Sequence, residues 1–223
     1  MSGEDVAERE GARPRRSWPL IVFVLVLVAG GAFAAGRFSA FDTVAAPNRA
    51  DIGFARDMQV HHAQAVEMAM IEYRATQDDE LRVVAYDIAT GQQAQSGEMY
   101  AWLVEWGLPQ RGSEPLMAWM QGTEHDHGGA VTSDATEDEL REAMGMATDE
   151  ELAQLQELAG TTAGDCLFTD RMIEHHTGAL EMVAAERDLG SIPRVLQTAE
   201  AMADTQQREI EVLQSAQARL GCG

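Results

Sequence analysis

Imidazole and thioether are the two side-chain chemistries this sequence concentrates. Six His residues fall in three places: His61-His62, His125 with His127, and His175-His176. Of twelve Met residues, eleven lie at or beyond Met58. Met58 stands three positions before His61 and Met68 seven after it, and Met172, His175, His176 and Met182 repeat that spacing. On a helix such steps put the groups on one face. A buried imidazole must be hydrogen-bonded or ligated, because an unpaired buried polar group costs roughly 1–3 kcal/mol. Imidazole alone suits zinc, copper or nickel, whereas the soft thioether selects Cu(I). Each type also has a packing role: Met fills irregular gaps in cores, and a His–Gln hydrogen-bond layer can simply hold helices in register.

The two clusters are copies. At the offset that carries His61 to His175, Phe54, Met58, His62, Ala65, Glu67 and Met68 lie over Phe168, Met172, His176, Ala179, Glu181 and Met182. With no gap, Glu72, Ala85, Ala89, Gln92 and Gln93 then lie over Glu186, Ala199, Ala203, Gln206 and Gln207. Identities at one constant offset across two helix lengths indicate an internal duplication.

Each copy reads as two helices. Phe54, Met58, His61, Ala65, Met68 and Glu72 step by four and three, the stripe of a helix along a bundle seam, and Leu81, Ala85, Ile88, Gln92, Ser96 and Met99 continue on a second helix. The breaks at Thr76–Asp79 and Gly190–Pro193 are short enough to force antiparallel hairpins. Folding the hairpins about Gln77 and Ser191 sets the His pairs at the heights of Gln92-Gln93 and Gln206-Gln207, which are expected to hold one nitrogen of each ring and leave the other as a ligand. Two hairpins make an all-α, ferritin-like four-helix bundle over residues 51–223.

A connector at 109–150 joins the copies, a long crossover of the ferritin-like kind. It carries Thr148-Asp-Glu-Glu151, a capping box that opens a helix through Leu158. It also carries Met117, Met120, His125, His127, Met144 and Met146, so His125 and His127 are a possible secondary metal site. Cys166 precedes the third bundle helix and Cys222 follows the fourth, so a hairpin brings them together. A disulfide there closes a loop worth about 4 kcal/mol in the chain-entropy model.

The N-terminus points to export. Residues 1–17 are polar with four Arg, and 18–36 are uncharged and include the run Leu20–Val28. This predicts one membrane-spanning helix with residues 1–17 cytoplasmic, 37–50 a linker and the bundle outside the cytoplasm. Secretion after cleavage near Ala32-Phe33-Ala34 is the other reading. With 37 Asp and Glu against 16 basic residues, none of them Lys, the chain is unsuited to nucleic acid and to Schiff-base or P-loop chemistry.

A di-iron oxidase needs Glu-x-x-His on inward faces, but Met58 and Met172 occupy those positions. No nucleophile pattern stands out, so no catalytic residue is assigned. The doubled Phe-x3-Met-x2-His-His-x2-Ala-x-Glu-Met, with Gly145-Met-Ala-Thr-Asp-Glu-Glu-Leu152 before its second copy, resembles the bacterial domain-of-unknown-function 305 family over about residues 50–220. The resemblance implies a ferritin-like, exported protein, copper-binding in some members with a suggested role in copper resistance. It assigns metal-ligand roles to Met58, His61, His62, Met68, Met172, His175, His176 and Met182. Ala63-Gln64 and Thr177-Gly178 depart from the more usual Gln-Gly after the His pair. The expected function is copper binding, as Cu(I), for sequestration or handover, with zinc as the alternative metal. A non-catalytic packing module and a metal-dependent redox enzyme are the competing readings.

Overall fold

The computed structural model describes residues 18–39, 46–121 and 135–222, and divides into two compact units, Met1–Val44 and Ala45–Gly223. In the first, α1 spans Trp18–Ser39. The expectation of a membrane-spanning helix is not met: among the described residues no helix is long and apolar enough to cross a membrane. The apolar side chains of α1 concentrate in Leu20–Val28, with Ala, Gly and Phe33 after it.

The second unit holds α2 (Arg49–Ala75), α3 (Asp79–Glu105), α4 (Glu137–Ala143), α5 (Asp149–Leu158), α6 (Thr162–Leu189) and α7 (Pro193–Leu220). The described residues contain no strand. Local chemistry sets the helix ends. Asn48 and Asp51 form a capping box on α2, Asp78 accepts from Leu81 N–H at the start of α3, and Pro193 opens α7 with its ring preset for a first turn. α5 opens on the Thr148–Glu151 capping box.

The pairs α2–α3 and α6–α7 are antiparallel hairpins, and α2 lies against α6. Asp51 at the start of α2 accepts hydrogen bonds from Ser191 and Ile192 after α6, so α2 and α6 also run antiparallel. The directions are therefore up, down, down, up, and the connector must travel the length of the bundle, the crossover that distinguishes ferritin-like bundles from simple up-and-down ones. Two apolar clusters fill the interior. One contains Phe54, Met58, Trp102, Met182 and Met202, the other Met68, Ile88, Phe168, Met172 and Leu213.

The connector is docked, not loose, where it is described. Asp57 accepts from Met117 N–H (2.8 Å) and Trp119 Nε1–H (3.0 Å), and burial pushes its carboxyl up to about 6 despite those bonds. Trp119 lies so close to Gly53 that a side chain there would collide with the indole, and it meets Phe54 edge-on with ring centroids 6.1 Å apart. The connector methionines Met117, Met120, Met144 and Met146 are thus core residues.

Cys166 and Cys222 form the expected disulfide, with Cα atoms 5.5 Å apart. It ties the start of α6 to the end of α7. Replacing both by Ser is expected to lower unfolding stability by about 2–5 kcal/mol while leaving far-ultraviolet circular dichroism at 25 °C unchanged. Chemical denaturation of the two proteins checks this.

Candidate metal centre

His61, His62, His175 and His176 are all fully buried and form one layer where α2 meets α6. The rings of His61 and His175 stack with centroids 3.7 Å apart and planes tilted by 35°. His62 and His176 flank them, at 6.4 Å from His61 and 6.2 Å from His175 respectively.

Every Nε2 has a partner that can only accept. His61 Nε2 lies 3.1 Å from Met144 O and His175 Nε2 3.0 Å from His61 O. His62 Nε2 lies 2.8 Å from Gln95 Oε1, and His176 Nε2 2.7 Å from Glu209 Oε2. The proton of each neutral ring is therefore assigned to Nε2. Nδ1 is left with a bare lone pair, and all four Nδ1 atoms are buried without a hydrogen-bond partner. Burial holds three of the rings neutral: it lowers His61 to about 3 and His62 to about 4, and takes His175 well below the usual imidazole value.

The expected glutamines divide. Gln92 and Gln206 are buried and both atoms of each amide lack a partner, whereas Gln93 and Gln207 face solvent. The hydrogen bonds to the rings come instead from Gln95 and Glu209, which occupy equivalent places in the two copies. Sequence identity could not reveal them, because Gln and Glu differ, although the constant offset relates them. Met58 and Met182 are buried in one apolar cluster and Met68 and Met172 in the other, so each side of the layer receives one Met pair drawn from both copies. His125 and His127 lie outside the described residues. Among the described residues no group of three or more His, Cys, Asp or Glu side chains is arranged to hold a metal ion. The layer thus holds four imidazole nitrogens without hydrogen-bond partners, and the four methionines lie in the two apolar clusters.

The connector seals one side of this layer. Gln64 clasps Ala147, donating to its carbonyl at 2.8 Å and accepting from its N–H at 2.7 Å. At the equivalent place in α6 stands Gly178, where any side chain would strike the Met144 carbonyl. Gly145, at φ +74°, makes the turn, and a Cβ on it would lie 2.6 Å from Glu174 O. Gln64 and Gly178, at equivalent places in the two copies, are what admit the connector, and with it the Met144 carbonyl that holds His61.

A second pair of polar features was not read from the sequence. Glu186 is buried facing Asp51, and Glu72 is buried facing Asp165. The two pairs are equivalent by the duplication; extending the alignment upstream from Phe54 would have found Asp51 over Asp165. The oxygens of both Glu carboxyls are buried without a hydrogen-bond partner. Two acceptors face each other, so a hydrogen bond forms only when a proton is shared. Burial first, and then the neighbouring Asp, pushes Glu72 up to about 8 against the opposing pull of Thr76. Burial and the Asp51 charge push Glu186 up to about 9. Burial also acts on Asp51, but donors from Ser191, Ile192 and Asn48 outweigh it and hold that carboxyl below its usual value.

A duplicated antiparallel hairpin closed over a buried imidazole layer defines the class: an all-α bundle protein with a polar centre. The chain belongs to the family described as Domain of unknown function (DUF305), whose model matches residues 51–217. Among solved structures it is similar to a putative secreted DUF305 protein from Streptomyces coelicolor, with 35% identity, a TM-score of 0.66, and 77% of this chain and 94% of that one covered. A DUF305 fragment from Deinococcus radiodurans is 28% identical with a TM-score of 0.64, covering 78% of this chain and 98% of the fragment. CopM in the Cu(I)-bound form shares the fold at 21% identity and a TM-score of 0.53, covering 76% of this chain and 96% of that one. No curated protein matches the chain.

The carboxyl pairs make stability depend on pH. A carboxyl whose folded value is raised favours the fold fully below its unfolded value near 4.5, and that contribution is lost as pH rises through about 8 for Glu72 and about 9 for Glu186. Melting temperature is expected to fall from pH 6.5 to 9. Glu72→Gln with Glu186→Gln is expected to flatten that slope and gain at least about 1 kcal/mol at pH 8.5. Thermal melts across that range, on both proteins, measure it.

Proposed function

We propose that this chain is an extracytoplasmic copper-binding protein that takes Cu(I) for sequestration or handover. Nδ1 of His61, His62, His175 and His176 supplies the imidazole ligands, and Met58, Met68, Met172 and Met182 supply thioethers. One observation carries the reading: four buried imidazoles whose Nε2 protons are all committed, leaving four Nδ1 lone pairs unpartnered in a single layer. An isolated orphan of this kind is uncommon in a folded core, and four together call for a ligand. Fixing Nε2–H on an acceptor is also how proteins orient a ligating His. Neutral rings without protons to displace, beside soft sulfur, favour Cu(I) over zinc. Gln92 and Gln206, buried and unpartnered, are amides that can pair with such a site once it is filled.

The relationship to CopM, solved in forms described as Cu(I)-bound and Cu(II)-bound, supports copper as the metal. A Streptomyces relative described as a putative secreted protein supports a place outside the cytoplasm, with the Arg-rich N-terminus and α1 directing export. Binding rather than catalysis fits a site sealed by the connector on one side and by apolar clusters above and below.

Titration of residues 45–223 with Cu(I) against a chromophoric chelator is expected to give tight binding that falls at least about tenfold for each single His→Ala change in the layer. Nitrogen NMR is expected to show the Nδ1 resonances moving with copper while Nε2 stays protonated. Unchanged stoichiometry in the variant with all four His replaced would overturn the copper reading in favour of a packing layer, and tighter binding of Zn(II) than of Cu(I) would change the metal. Export is checked separately, by the mass of the protein recovered outside the cytoplasm, where a form beginning near Gly36 is expected.

A further inference from the structure

The duplication provides an internal control for every surface, and one face fails it. Along the solvent side of α3, Val83, Tyr86, Thr90, Gly97, Tyr100 and Val104 are all exposed, with Gln93 at the middle. Their steps of three and four residues form a continuous seam down the helix. Val83 is 59%, Tyr86 50%, Tyr100 53% and Val104 57% exposed. The equivalent positions on α7 are Gln197, Glu200, Asp204, Glu211, Gln214 and Ala218, also exposed, with Gln207 at the middle. All but the terminal Ala218 are acids or amides, and Val212, exposed on α7, stands beside this seam, where α3 has Glu98. Two helices in equivalent places of one bundle, both facing away from its core, thus carry contrasting chemistry. The polar version is what water demands; the version with two Val and two Tyr is what a covered surface demands.

One glycine says how closely it is covered. Gly97, on the seam, stands in the interior of α3, where glycine is the poorest helix former after proline. A Cβ there would meet nothing within 4 Å, so nothing in this fold requires its absence of a side chain. Its counterpart on α7 is Glu211. Glycine on an open helix face lets another backbone approach.

We propose that this face of α3 is the contact of a twofold homodimer, with α3 of one copy lying antiparallel to α3 of the other. The occupant follows from the sequence of the seam, which runs Val, Tyr, Thr, Gln, Gly, Tyr, Val and so reads nearly alike in both directions. A twofold axis near Gln93 sets valine ends against valine ends, tyrosines within them, and the small residues at the crossing. A closed twofold contact must be self-complementary in this way, whereas a partner of unrelated sequence places no such demand. Tyr86 is already braced against Tyr73, ring centroids 5.7 Å apart, so less freedom is lost on contact. Asp87 and Glu98 flank the seam and bring like charges together across the axis, so salt should strengthen association. The proposal stands apart from the copper reading, since α3's outer face is remote in role from the imidazole layer.

Sedimentation of residues 45–223, which carry their own core, is expected to show a monomer–dimer equilibrium that tightens as NaCl is raised from about 50 to about 500 mM. Because both native cysteines are paired, Gln93→Cys introduces a single free thiol near the axis and is expected to form a linked dimer on mild oxidation. Gln207→Cys, at the equivalent place on α7, is the control and should stay monomeric. Gly97→Leu separates folding from association: it meets open space in the monomer and should melt no lower than the parent, while weakening the dimer at least about tenfold. A monomer at all concentrations up to about 200 µM, equal linking at residues 93 and 207, or an undiminished Gly97→Leu dimer would each overturn the proposal.

Discussion

Four imidazoles are buried between two antiparallel helices, and each ring has one N–H that must find an acceptor. That requirement organises the second unit. The His175 bond to the His61 carbonyl sets α6 against α2. Gln95 ties α3 to α2 and Glu209 ties α7 to α6, and the Met144 carbonyl brings the connector to the same layer. A one-residue slip turns a side chain by about 100° on a helix, which would strand every one of these protons in a core without water. Register, hairpin pairing and the path of the connector are thus one solution to one desolvation problem. Its by-product is a set of lone pairs with nothing attached.

The duplication is kept where the polar core requires it and abandoned where the surroundings differ. Both ends of the bundle repeat the buried carboxyl pair, Asp51 with Glu186 and Asp165 with Glu72. Symmetry breaks at Gln64 against Gly178, because only one connector exists and it can cover only one side. It breaks again on the outer faces of α3 and α7, where valines and tyrosines on one stand over acids and amides on most of the other. A duplicated chain that only folded would have no reason for the second difference.

Much of this was legible from residue spacing. The repeat, the four long helices, the disulfide and the burial of the two His pairs all follow from periodicity and from one constant offset. The partners of the imidazoles were missed by three positions, Gln95 and Glu209 in place of Gln92 and Gln206. The cause is geometric. Side chains on a helix lean toward its N-terminus, so on antiparallel neighbours they lean apart, and residues placed level by counting do not meet. A partner about one turn further toward the C-terminus does. The membrane-spanning reading rested on the uncharged residues 18–36, but among the described residues no helix is long and apolar enough to cross a membrane.

The sequence by itself determined the elements and their duplication, because helix periodicity, caps and hairpin length are local and one-dimensional. It also determined which groups must be buried, since a His on an apolar stripe has no route to water. Only the tertiary structure decided which nitrogen each ring keeps free. That choice rests on a carbonyl of Met144, a carbonyl of His61 and two side chains from neighbouring helices. Backbone acceptors leave no trace in residue identity, so a fold that brings them within about 3 Å of a ring is needed before the chemistry of that ring is defined.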